Sequence, residues 1–418
     1  MGIWGGAAWL LAVACGGKSD RAVGSLRENP SSSGSGAVAE GGADATSGGS
    51  GDTSTGGNVA TGGASAGLAG AGVGGEGGAP LEPRPYRALQ VATGTDHTCV
   101  LLEDHRVKCW GINLQGQLGL GDTVARGIDP TQMGDALPFV DLGAGRTAQQ
   151  IAAGYRMSCA LLDDDSVKCW GRSLFAAHQA PTLMYGDGPN EMGDALPVVK
   201  VADGHHAVAI AVGHFSACAA LEDDSFWCGS AQSDPTLIPA LGSPHPTAIM
   251  GSGNVLALFD DQSARSVVAD TRSIQLVIQN VLIATASVHY YCFLRPSGAT
   301  ECTGGQAFTV PELLPTAKGL GVTSEGILCS LGIAGDVRCW GNLPPDQPWQ
   351  PNADGYVTIP LAQPAVQLAS AGEEHECALL ADGSVSCWSF SKTSVAATGS
   401  AATGTDQLVP VELGMWTP

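Results

Sequence analysis

Twelve of the thirteen cysteines form six pairs with nine residues between the partners of each pair. The pairs are Cys99 with Cys109, Cys159 with Cys169, Cys218 with Cys228, Cys292 with Cys302, Cys329 with Cys339, and Cys377 with Cys387. This constant spacing indicates one structural unit that is used repeatedly along the chain.

The residues between paired cysteines predict a β-hairpin. In the last pair, two short apolar strands flank the loop at 381–383. A type I turn followed by one residue in the left-handed region closes such a three-residue loop. Leu380 then lies opposite Ser384, and counting outward places Cys377 opposite Cys387 in a non-hydrogen-bonded pair. Cα atoms in such a pair are about 4.5 Å apart, which a disulfide tolerates.

The same register fits the other five pairs and predicts six cross-strand disulfides. The left-handed position is then filled by His105, Asp165, Asp224, Gly298 and Gly335. Reduced structural thiols and zinc ligation are the alternatives. Zinc sites favour a spacing of two to four residues and need four converging ligands, and hairpins distributed along a repeat array would not bring their sulfurs together.

A seventh copy of the hairpin has lost its cysteines. Residues 256–266 align with 159–169, and Leu256 and Ser266 stand where the cysteines would be. The seven hairpins start at residues 99, 159, 218, 256, 292, 329 and 377. Their unequal offsets indicate a repeat with loops of variable length.

Short strands precede each hairpin and are often introduced by proline, as at 137–142 and 196–201. Short strands separated by Gly, Pro and Asp predict an all-β protein, and seven such units suit a ring around a channel. The segment 408–413 looks like another proline-led strand that opens a repeat. We expect it to complete the first blade and close the ring; a frayed tail is the alternative.

The first repeat contains Gly94-x-x-His97-x-Cys99 and then Cys-Trp-Gly-x-Asn-x-x-Gly-Gln-Leu-Gly-x-Gly at 109–121. Cys-Trp-Gly recurs at 169–171 and 339–341, and Met-Gly-Asp-Ala-Leu-Pro occurs at both 133–138 and 192–197. These motifs resemble the repeats of the regulator of chromosome condensation family, particularly its cysteine-paired version in secreted bacterial proteins. The resemblance implies a seven-bladed β-propeller over residues 86–418.

The resemblance leaves the function open. Founding members of the family exchange guanine nucleotide on a nuclear GTPase and dock on chromatin, but no catalytic loop of that type can be matched to this chain. Other members are interaction platforms or regulators of enzymes, and a fold alone does not determine function.

The N-terminal region predicts export. An apolar run at 3–14 precedes Cys15, and residues 1–15 resemble a bacterial lipoprotein signal in which Cys15 becomes lipidated. An ordinary secretory signal and a cytosolic start are the alternatives. Residues 16–85 are mostly Gly, Ser, Ala and Thr and predict a disordered tether with a reach of about 45 Å. We therefore expect a cell-envelope or secreted protein, where disulfides form.

No later segment predicts a transmembrane helix. The most apolar one, 274–283, is interrupted by polar residues and is interpreted as a core strand. The chain has 40 acidic and 19 basic residues and a net charge of −21. This charge disfavours nucleic acid and anionic lipid surfaces, so membrane contact is expected only through the lipid anchor. We expect a monomer.

The sequence predicts no catalytic residue, cofactor or metal ligand. His97 and His375 share one repeat position, which favours a structural role. The tryptophans that follow the second cysteines, at 110, 170, 340 and 388, suit packing between sheets better than a glycan site. The long loops at 111–136 and 171–195 are the candidate binding face, with calcium as a weaker alternative. Their acidic residues are Asp122, Asp129, Asp135, Asp187, Glu191 and Asp194.

Three functions remain. The favoured one is a tethered interaction module that binds a protein or a glycan and performs no catalysis. The first alternative is a hydrolase or lyase with its site at the channel mouth, although no acid/base cluster outside the repeat is found. The second is nucleotide exchange or chromatin regulation by family analogy, which the charge and the export signal oppose.

Overall fold

The computed structural model describes residues 82–172, 184–201, 203–214, 216–230, 234–251, 255–304, 317–343, 350–370, 375–390, 408 and 410–417. The predicted signal at 1–15 and nearly all of the predicted tether at 16–85 lie outside these ranges. The described strands form seven antiparallel sheets of three or four strands and one two-stranded sheet.

Each of the seven larger sheets is one blade, and its strands follow chain order from the centre outward. Blade 1 has β2 (Ala88–Thr93), β3 (His97–Leu102) and β4 (Val107–Gly111); blade 2 has β5 (Ala148–Ala153), β6 (Met157–Leu162), β7 (Val167–Arg172) and β8 (Met184–Tyr185); blade 3 has β9 (Ala207–Val212), β10 (Ser216–Leu221), β11 (Phe226–Ser230) and β12 (Thr236–Ile238). Blade 4 has β13 (Pro246–Gly251), β14 (Val255–Phe259), β15 (Ala264–Val268) and β16 (Ser273–Ile278).

The remaining blades follow the same plan. Blade 5 has β17 (Ile283–Ala286), β18 (Tyr290–Leu294) and β19 (Thr300–Gly304); blade 6 has β20 (Ala317–Val322), β21 (Ile327–Gly332), β22 (Val337–Gly341) and β23 (Val357–Thr358); blade 7 has β24 (Ala365–Ala369), β25 (His375–Leu380) and β26 (Val385–Ser389). The two-stranded sheet joins β1 (Arg84–Pro85) to β27 (Met415–Trp416). Short 3-10 helices span Pro130–Gln132, Gly134–Ala136 and Gly193–Ala195.

The seven blades form a closed ring. The innermost strands β2, β5, β9, β13, β17, β20 and β24 contact one another in that order, and β24 contacts β2 again. Buried apolar side chains form seven clusters, and each cluster lies between two neighbouring blades. The cluster between blades 7 and 1 contains Cys377 and Val385 from one side and Val91 and Trp110 from the other. The fold is therefore a seven-bladed β-propeller, as predicted.

All seven hairpins use the predicted turn. The third loop residue has a positive φ of 60–86° in every blade, including Gln262 of the cysteine-free blade 4. In blade 7 the amide of Leu380 donates to the carbonyl of Ser384 at 2.8 Å, and the other six blades repeat this bond. The left-handed residue also connects blades, since Gly383 accepts from the amide of Ala88 at 2.7 Å and so links blade 7 to blade 1.

The six predicted disulfides are present, each within its own hairpin. Their Cα–Cα distances are 4.0–4.2 Å, somewhat shorter than the 4.5 Å expected. The alternatives of free thiols and zinc ligation are therefore wrong for these twelve cysteines. The bonds join Cys99 to Cys109, Cys159 to Cys169, Cys218 to Cys228, Cys292 to Cys302, Cys329 to Cys339, and Cys377 to Cys387.

The strand register agrees with the predicted register in blades with and without cysteines. Cys169 lies opposite Cys159 on β7 and β6, and Cys228 lies opposite Cys218 on β11 and β10. In blade 4 the same register puts Leu256 opposite Ser266. The hairpin therefore does not need the disulfide to determine which residues face each other.

The predicted role of the proline-led segments is wrong. They do not open a blade. They lie along the third strand of the preceding blade and form the outer edge of that blade. The amide of Val140 donates to the carbonyl of Val107 in blade 1, and the amide of Val411 donates to Val385 in blade 7. Of the predicted strand at 408–413, the described residues 410–413 thus lie at the outer edge of blade 7 and not in a sheet of blade 1.

The interpretation of 274–283 as a core strand is also wrong. Residues 273–278 form β16, the outermost strand of blade 4, and only the side of this strand that faces β15 is paired in the sheet. Gln275, Val277 and Gln279 are exposed to solvent. The segment then turns at 279–282 before β17 begins blade 5.

Candidate functional site

The ring has two faces with different loops. The upper face carries the loops between first and second strands and the loops that follow third strands. Both kinds meet there, since the amide of Ile112 donates to the carbonyl of Asp96 and the amide of Arg172 to that of Arg156, each at 2.8 Å. The lower face carries the hairpin turns. The predicted binding loops 111–136 and 171–195 therefore start on the upper face.

Two predicted binding residues in the first long loop are engaged in local structure. Asp122 accepts bonds from the amide of Val124 at 2.8 Å and from the guanidinium of Arg126 at 2.7 Å. Asp129 caps the first 3-10 helix by accepting from the amide and hydroxyl of Thr131, both at 2.9 Å. These hydrogen bonds lower the pKa of Asp129. The carboxylates of Asp122 and Asp129 therefore already have partners within the loop.

Asp135 and Asp194 hold neighbouring blades together. Asp194 accepts from the amide of Ala144 at 3.0 Å, and Asp135 accepts from the amide of Met415 at 2.8 Å. The two contacts are equivalent because both acids belong to the repeated Met-Gly-Asp-Ala-Leu-Pro. The glycines just before the donor amides, Gly143 and Gly414, have φ of 111° and 94°, and a side chain there would collide with the carboxylate.

Two buried lysines reinforce these contacts. The Nζ of Lys168 donates to the carbonyls of Gly193 and Leu142 at 2.8 and 3.0 Å. Lys108 repeats the arrangement with the carbonyls of Gly134 at 2.7 Å and Leu413 at 2.9 Å, and burial lowers its pKa. The Lys108 contact thereby fixes the segment that contains Leu413 onto blade 1, and it reinforces the junction of blades 7 and 1.

Glu191 and Asp187 form the remaining pair of predicted binding residues. Glu191 accepts from the amides of Gly186 and Gly188 at 3.0 and 2.9 Å. Partial burial, followed by the neighbouring Glu191, raises the pKa of Asp187. The pair shapes the tip of the blade 2 loop, which packs on the glycines at 116–121 of the blade 1 loop. The six acidic residues do not converge to form a set of ligands.

Four residues of the upper-face loops are here called the upper-face patch: Leu114, which is exposed, and Tyr155, Arg156 and His214, which are partly buried. The rings of Tyr155 and His214 stack at 4.0 Å between centroids, and the guanidinium of Arg156 lies 4.8 Å from the Tyr155 centroid. Leu114 is 67% exposed. The blade 1 loop reaches Arg156 because both border Gly171. Within the described ranges Arg156 has no acidic partner.

The lower face is acidic, but its carboxylates are used by the turns. In four blades an aspartate accepts from the serine amide two residues later, as Asp382 does from Ser384 at 2.9 Å. The side-chain bond from the Ser384 hydroxyl lowers the pKa of Asp382. Glu222 binds the amide of His206 at 2.7 Å. These five carboxylates thus stabilise the turns of the lower face.

Two other features of the lower face offer little chemistry. Bulged residues on the inner strands border the channel mouth, and the three most exposed of them, Leu89, Val208 and Val366, are aliphatic. A cleft of about 450 Å³ between blades 2 and 3 is lined by Asp164, Lys200, His205 and others. Within it Asp164 is bound by Arg146 at 2.8 Å and His205 lies 3.4 Å from Asp223.

The two repeat histidines lie in the interior and bond to hydroxyls of the next blade. The Nε2 of His97 lies 2.8 Å from the Oγ of Ser158, and the Nε2 of His375 lies 2.9 Å from the Oγ1 of Thr98. Burial, with a smaller contribution from His375, lowers the pKa of His97 to about 3. These residues are buried, so the Ser–His contact is a structural link between blades that substrate cannot reach.

Three buried glutamine side chains join four of the inner strands by hydrogen bonds, and the sequence analysis missed them. Gln90 donates to the carbonyl of Ile151 and accepts from its amide, both at 2.9 Å. Gln150 binds Ile210 in the same way, and Gln367 binds Val91 across the junction of blades 7 and 1. The signal was present, because each glutamine precedes an aliphatic residue and Ala at the same repeat position.

Glu376 is a buried carboxyl at the repeat position that Thr98 occupies in blade 1 and Ser158 occupies in blade 2. It accepts from the hydroxyl of Ser370 at 3.0 Å, and its second oxygen has no hydrogen-bond partner among the described residues. Burial raises its pKa to about 8. The sulfurs of Cys329 and Cys339 are within 4.8 Å, but they are joined in a disulfide. The chemistry of this set therefore does not fit a metal ion.

The repeat tryptophans pack between blades. Trp110 and Trp170 are fully buried, and Trp340 and Trp388 are nearly so. The indole of Trp170 donates to the carbonyl of Gln117 at 3.0 Å and so fastens the blade 1 loop onto blade 2. Their burial excludes the alternative of a glycan site formed by these rings.

In the described ranges, no helix has both the length and the apolar character needed to cross a bilayer. The six disulfides are typical of proteins that fold outside the cytoplasm.

Solved structures that resemble this chain include the CRINKLY WD40 ectodomain of the Arabidopsis thaliana receptor kinase ACR4. It shows 17% identity and a TM-score of 0.47, over 73% of this chain and 96% of that one. Yeast RCC1 (Prp20) bound to Kap60 shows 19% identity and a TM-score of 0.40, over 78% of this chain and 74% of that one. Both TM-scores are below 0.5, and the propeller fold is established by the sheet order and blade contacts.

A human protein, probable E3 ubiquitin-protein ligase HERC4, is 35% identical over 89 residues, which are 21% of this chain and 8% of that protein. The match thus spans a small part of the relative. The family model for the regulator of chromosome condensation (RCC1) repeat matches residues 89–117 and 148–175. These are the first two blades, where the Cys-Trp-Gly and Met-Gly-Asp-Ala-Leu-Pro motifs are complete. The first two blades of the chain, at residues 89–117 and 148–175, therefore carry repeats of the regulator of chromosome condensation family.

Proposed function

We propose that this propeller is a tethered, extracytoplasmic interaction module that binds a protein or glycan partner through its upper face and performs no catalysis. One observation carries the proposal: the upper-face patch combines an exposed leucine with a partly buried aromatic stack and a partly buried arginine that has no acidic partner among the described residues. Aromatic side chains and arginine are the residues that most often anchor interfaces. The acidic loop residues instead accept hydrogen bonds from backbone amides of their own loop or of the neighbouring blade.

Supporting evidence comes from where the chain enters the ring. Arg84 of β1 binds Glu103 in the blade 1 turn at 2.6 Å, so residue 84 lies at the lower face. A flexible tether ending there, lipidated at Cys15, would attach the ring at its lower face and leave the upper face accessible to a partner. The acidic lower face would not adhere to anionic lipids. Lipidation, localisation in the cell envelope and the absence of nucleic acid binding are parts of this proposal.

Introducing negative charge into the upper-face patch is expected to weaken partner binding. A Leu114→Asp/Arg156→Glu double variant of the full-length chain should lose at least about tenfold in affinity, because anchors of this kind often contribute 2 kcal/mol or more. Proximity labelling on intact cells, followed by binding measurements with the enriched partner, checks this. Ile333→Asp, in the exposed turn of blade 6 on the lower face, is the matched control and should keep wild-type labelling.

Two results would contradict the proposal. Equal labelling by the double variant and the wild type would exclude the upper-face patch as the binding surface. Turnover of a surface polysaccharide or peptide by the purified chain would instead favour the hydrolase or lyase alternative.

A further inference from the structure

One position of the repeat places a side chain against the disulfide of the preceding blade. In blade 2 the Oγ of Ser158 lies 3.6 Å from the Sγ of Cys99, and in blade 1 the Oγ1 of Thr98 lies 3.8 Å from the Sγ of Cys377. Both hydroxyls also have a histidine partner from the preceding blade. This position therefore connects blades 1 and 2 to the sulfur atoms of the blade before each of them.

Glu376 occupies this position in blade 7, and no other blade has a carboxyl there. An oxygen of its carboxyl lies within 4.8 Å of the sulfurs of Cys329 and Cys339 in blade 6. Blade 6 provides no histidine partner, because Ile327 stands at the position of the repeat histidines. The contact between blades 6 and 7 is thus the same repeat contact with a carboxyl in place of a hydroxyl.

This contact is buried and leaves one oxygen without a hydrogen bond. Glu376 and both cysteines are 0% exposed. Ser370 donates to one carboxyl oxygen at 3.0 Å, and the other has no partner among the described residues. Burial raises the pKa of Glu376 and the bond from Ser370 lowers it, with no contribution from a charged side chain of the described residues. A buried acceptor without a donor is destabilising.

We propose that Glu376 and the Cys329–Cys339 disulfide form a redox-sensitive site, in which a thiol of the reduced pair donates to the free oxygen of the carboxyl. Reduction by a dithiol breaks the bond between the two sulfurs, transfers two electrons and two protons to them, and leaves a disulfide in the reagent. A thiol can donate a hydrogen bond, whereas a disulfide has no proton to donate. Because hydrogen bonds to an ionised acceptor are stronger than neutral ones, the ionised carboxyl favours the reduced pair.

The coupling predicts a specific dependence on pH. Since a bond from a thiol stabilises the ionised form, the pKa of Glu376 is lower beside the reduced pair than its value of about 8 beside the disulfide. Reduction therefore releases a proton from the carboxyl, and raising the pH shifts this pair toward the reduced form. The Cys99–Cys109 disulfide, which faces the hydroxyl of Ser158, is the reference within the same molecule.

A redox titration of the full-length chain tests this inference. The protein is equilibrated with mixtures of reduced and oxidised dithiothreitol from both directions, and differential alkylation with mass spectrometry gives the reduced fraction of each pair. The equilibrium constant for reducing Cys329–Cys339, divided by that for Cys99–Cys109, should rise by about tenfold between pH 5 and pH 9 in the wild type, as a hydrogen bond to a charged group implies.

Two variants remove the ionisable group. Glu376→Gln keeps the shape of the neutral acid, and Glu376→Thr introduces the side chain that blade 1 has at this position. In both, the ratio should not depend on pH, whereas Glu325→Gln, at an exposed position of blade 6, should follow the wild type. Thermal melting shows that each variant is folded. A wild-type ratio that stays constant from pH 5 to pH 9, or an equal rise in both Glu376 variants, overturns the proposal.

Discussion

Above pH 8, a Glu376→Gln variant is expected to be more stable than the wild type. Burial raises the pKa of Glu376 from 4.5 to about 8, so the folded protein binds its proton more tightly than the unfolded chain does. The wild type gains this stability below pH 4.5 and loses it progressively as pH rises to about 8. Each unit of pKa shift corresponds to about 1.4 kcal/mol, so the rise from 4.5 to about 8 corresponds to a lost stability on the order of 5 kcal/mol.

Glutamine is the informative replacement because it keeps the shape of the neutral acid and its bond from Ser370 but does not ionise. Chemical denaturation of both proteins between pH 4 and pH 9 measures the difference in free energy of unfolding. That difference should grow in favour of the variant from about pH 4.5 to pH 8 and then level off. Glu325→Gln, at an exposed position of the neighbouring blade, should follow the wild-type curve.

A constant difference between Glu376→Gln and the wild type across this range would show that Glu376 ionises normally, and would contradict its buried placement.

Reduction of all six disulfides is expected to lower the melting temperature by about 10–20 °C while the propeller stays folded at room temperature. Each disulfide closes an 11-residue loop, which corresponds to about 2–3 kcal/mol in the unfolded chain, and less where the reduced hairpin keeps its structure. The fold should survive because blade 4 forms the same hairpin with Leu256 and Ser266, and because seven apolar clusters remain between the blades.

Far-UV circular dichroism with and without a phosphine reductant follows this loss. Alkylation should first label blade 5, since Cys302 is only partly buried, whereas the other cysteines of the six disulfides, including Cys169 and Cys228, are buried. Collapse to a disordered chain on mild reduction would show that the disulfides, and not the contacts between blades, supply most of the stability. An unchanged melting temperature would show that the cysteines are not oxidised in the isolated protein.

Much of the fold was predictable because the hairpin is a local structure. In blade 7, turn residues and apolar alternation determine the partner of Cys377 and the left-handed conformation of Gly383. Blade 4 forms the same turn, with Gln262 in the left-handed position. The placement of 408–413 was not predictable in the same way. A strand between two hairpins has the same position in the sequence whether it ends one blade or begins the next, and only hydrogen bonds such as that between Val411 and Val385 decide.

The candidate site was less predictable than the fold. Asp135 and Asp194 were chosen because carboxylates in loops bind ligands, but they bind backbone amides of the neighbouring blade. The stack of Tyr155 on His214 joins two blades, and the sequence of a single repeat does not predict such a contact between blades. Glu376 gave no signal either, because its burial depends on the strands that surround it.

Mass-spectrometric mapping of disulfides in the native, unreduced protein tests the central claim most directly. One disulfide within each blade except blade 4 predicts six linked peptides, each joining a cysteine to the partner ten residues later, from Cys99 with Cys109 in blade 1 to Cys377 with Cys387 in blade 7. A disulfide between cysteines of different blades, or free thiols at these positions, would contradict this account of the fold.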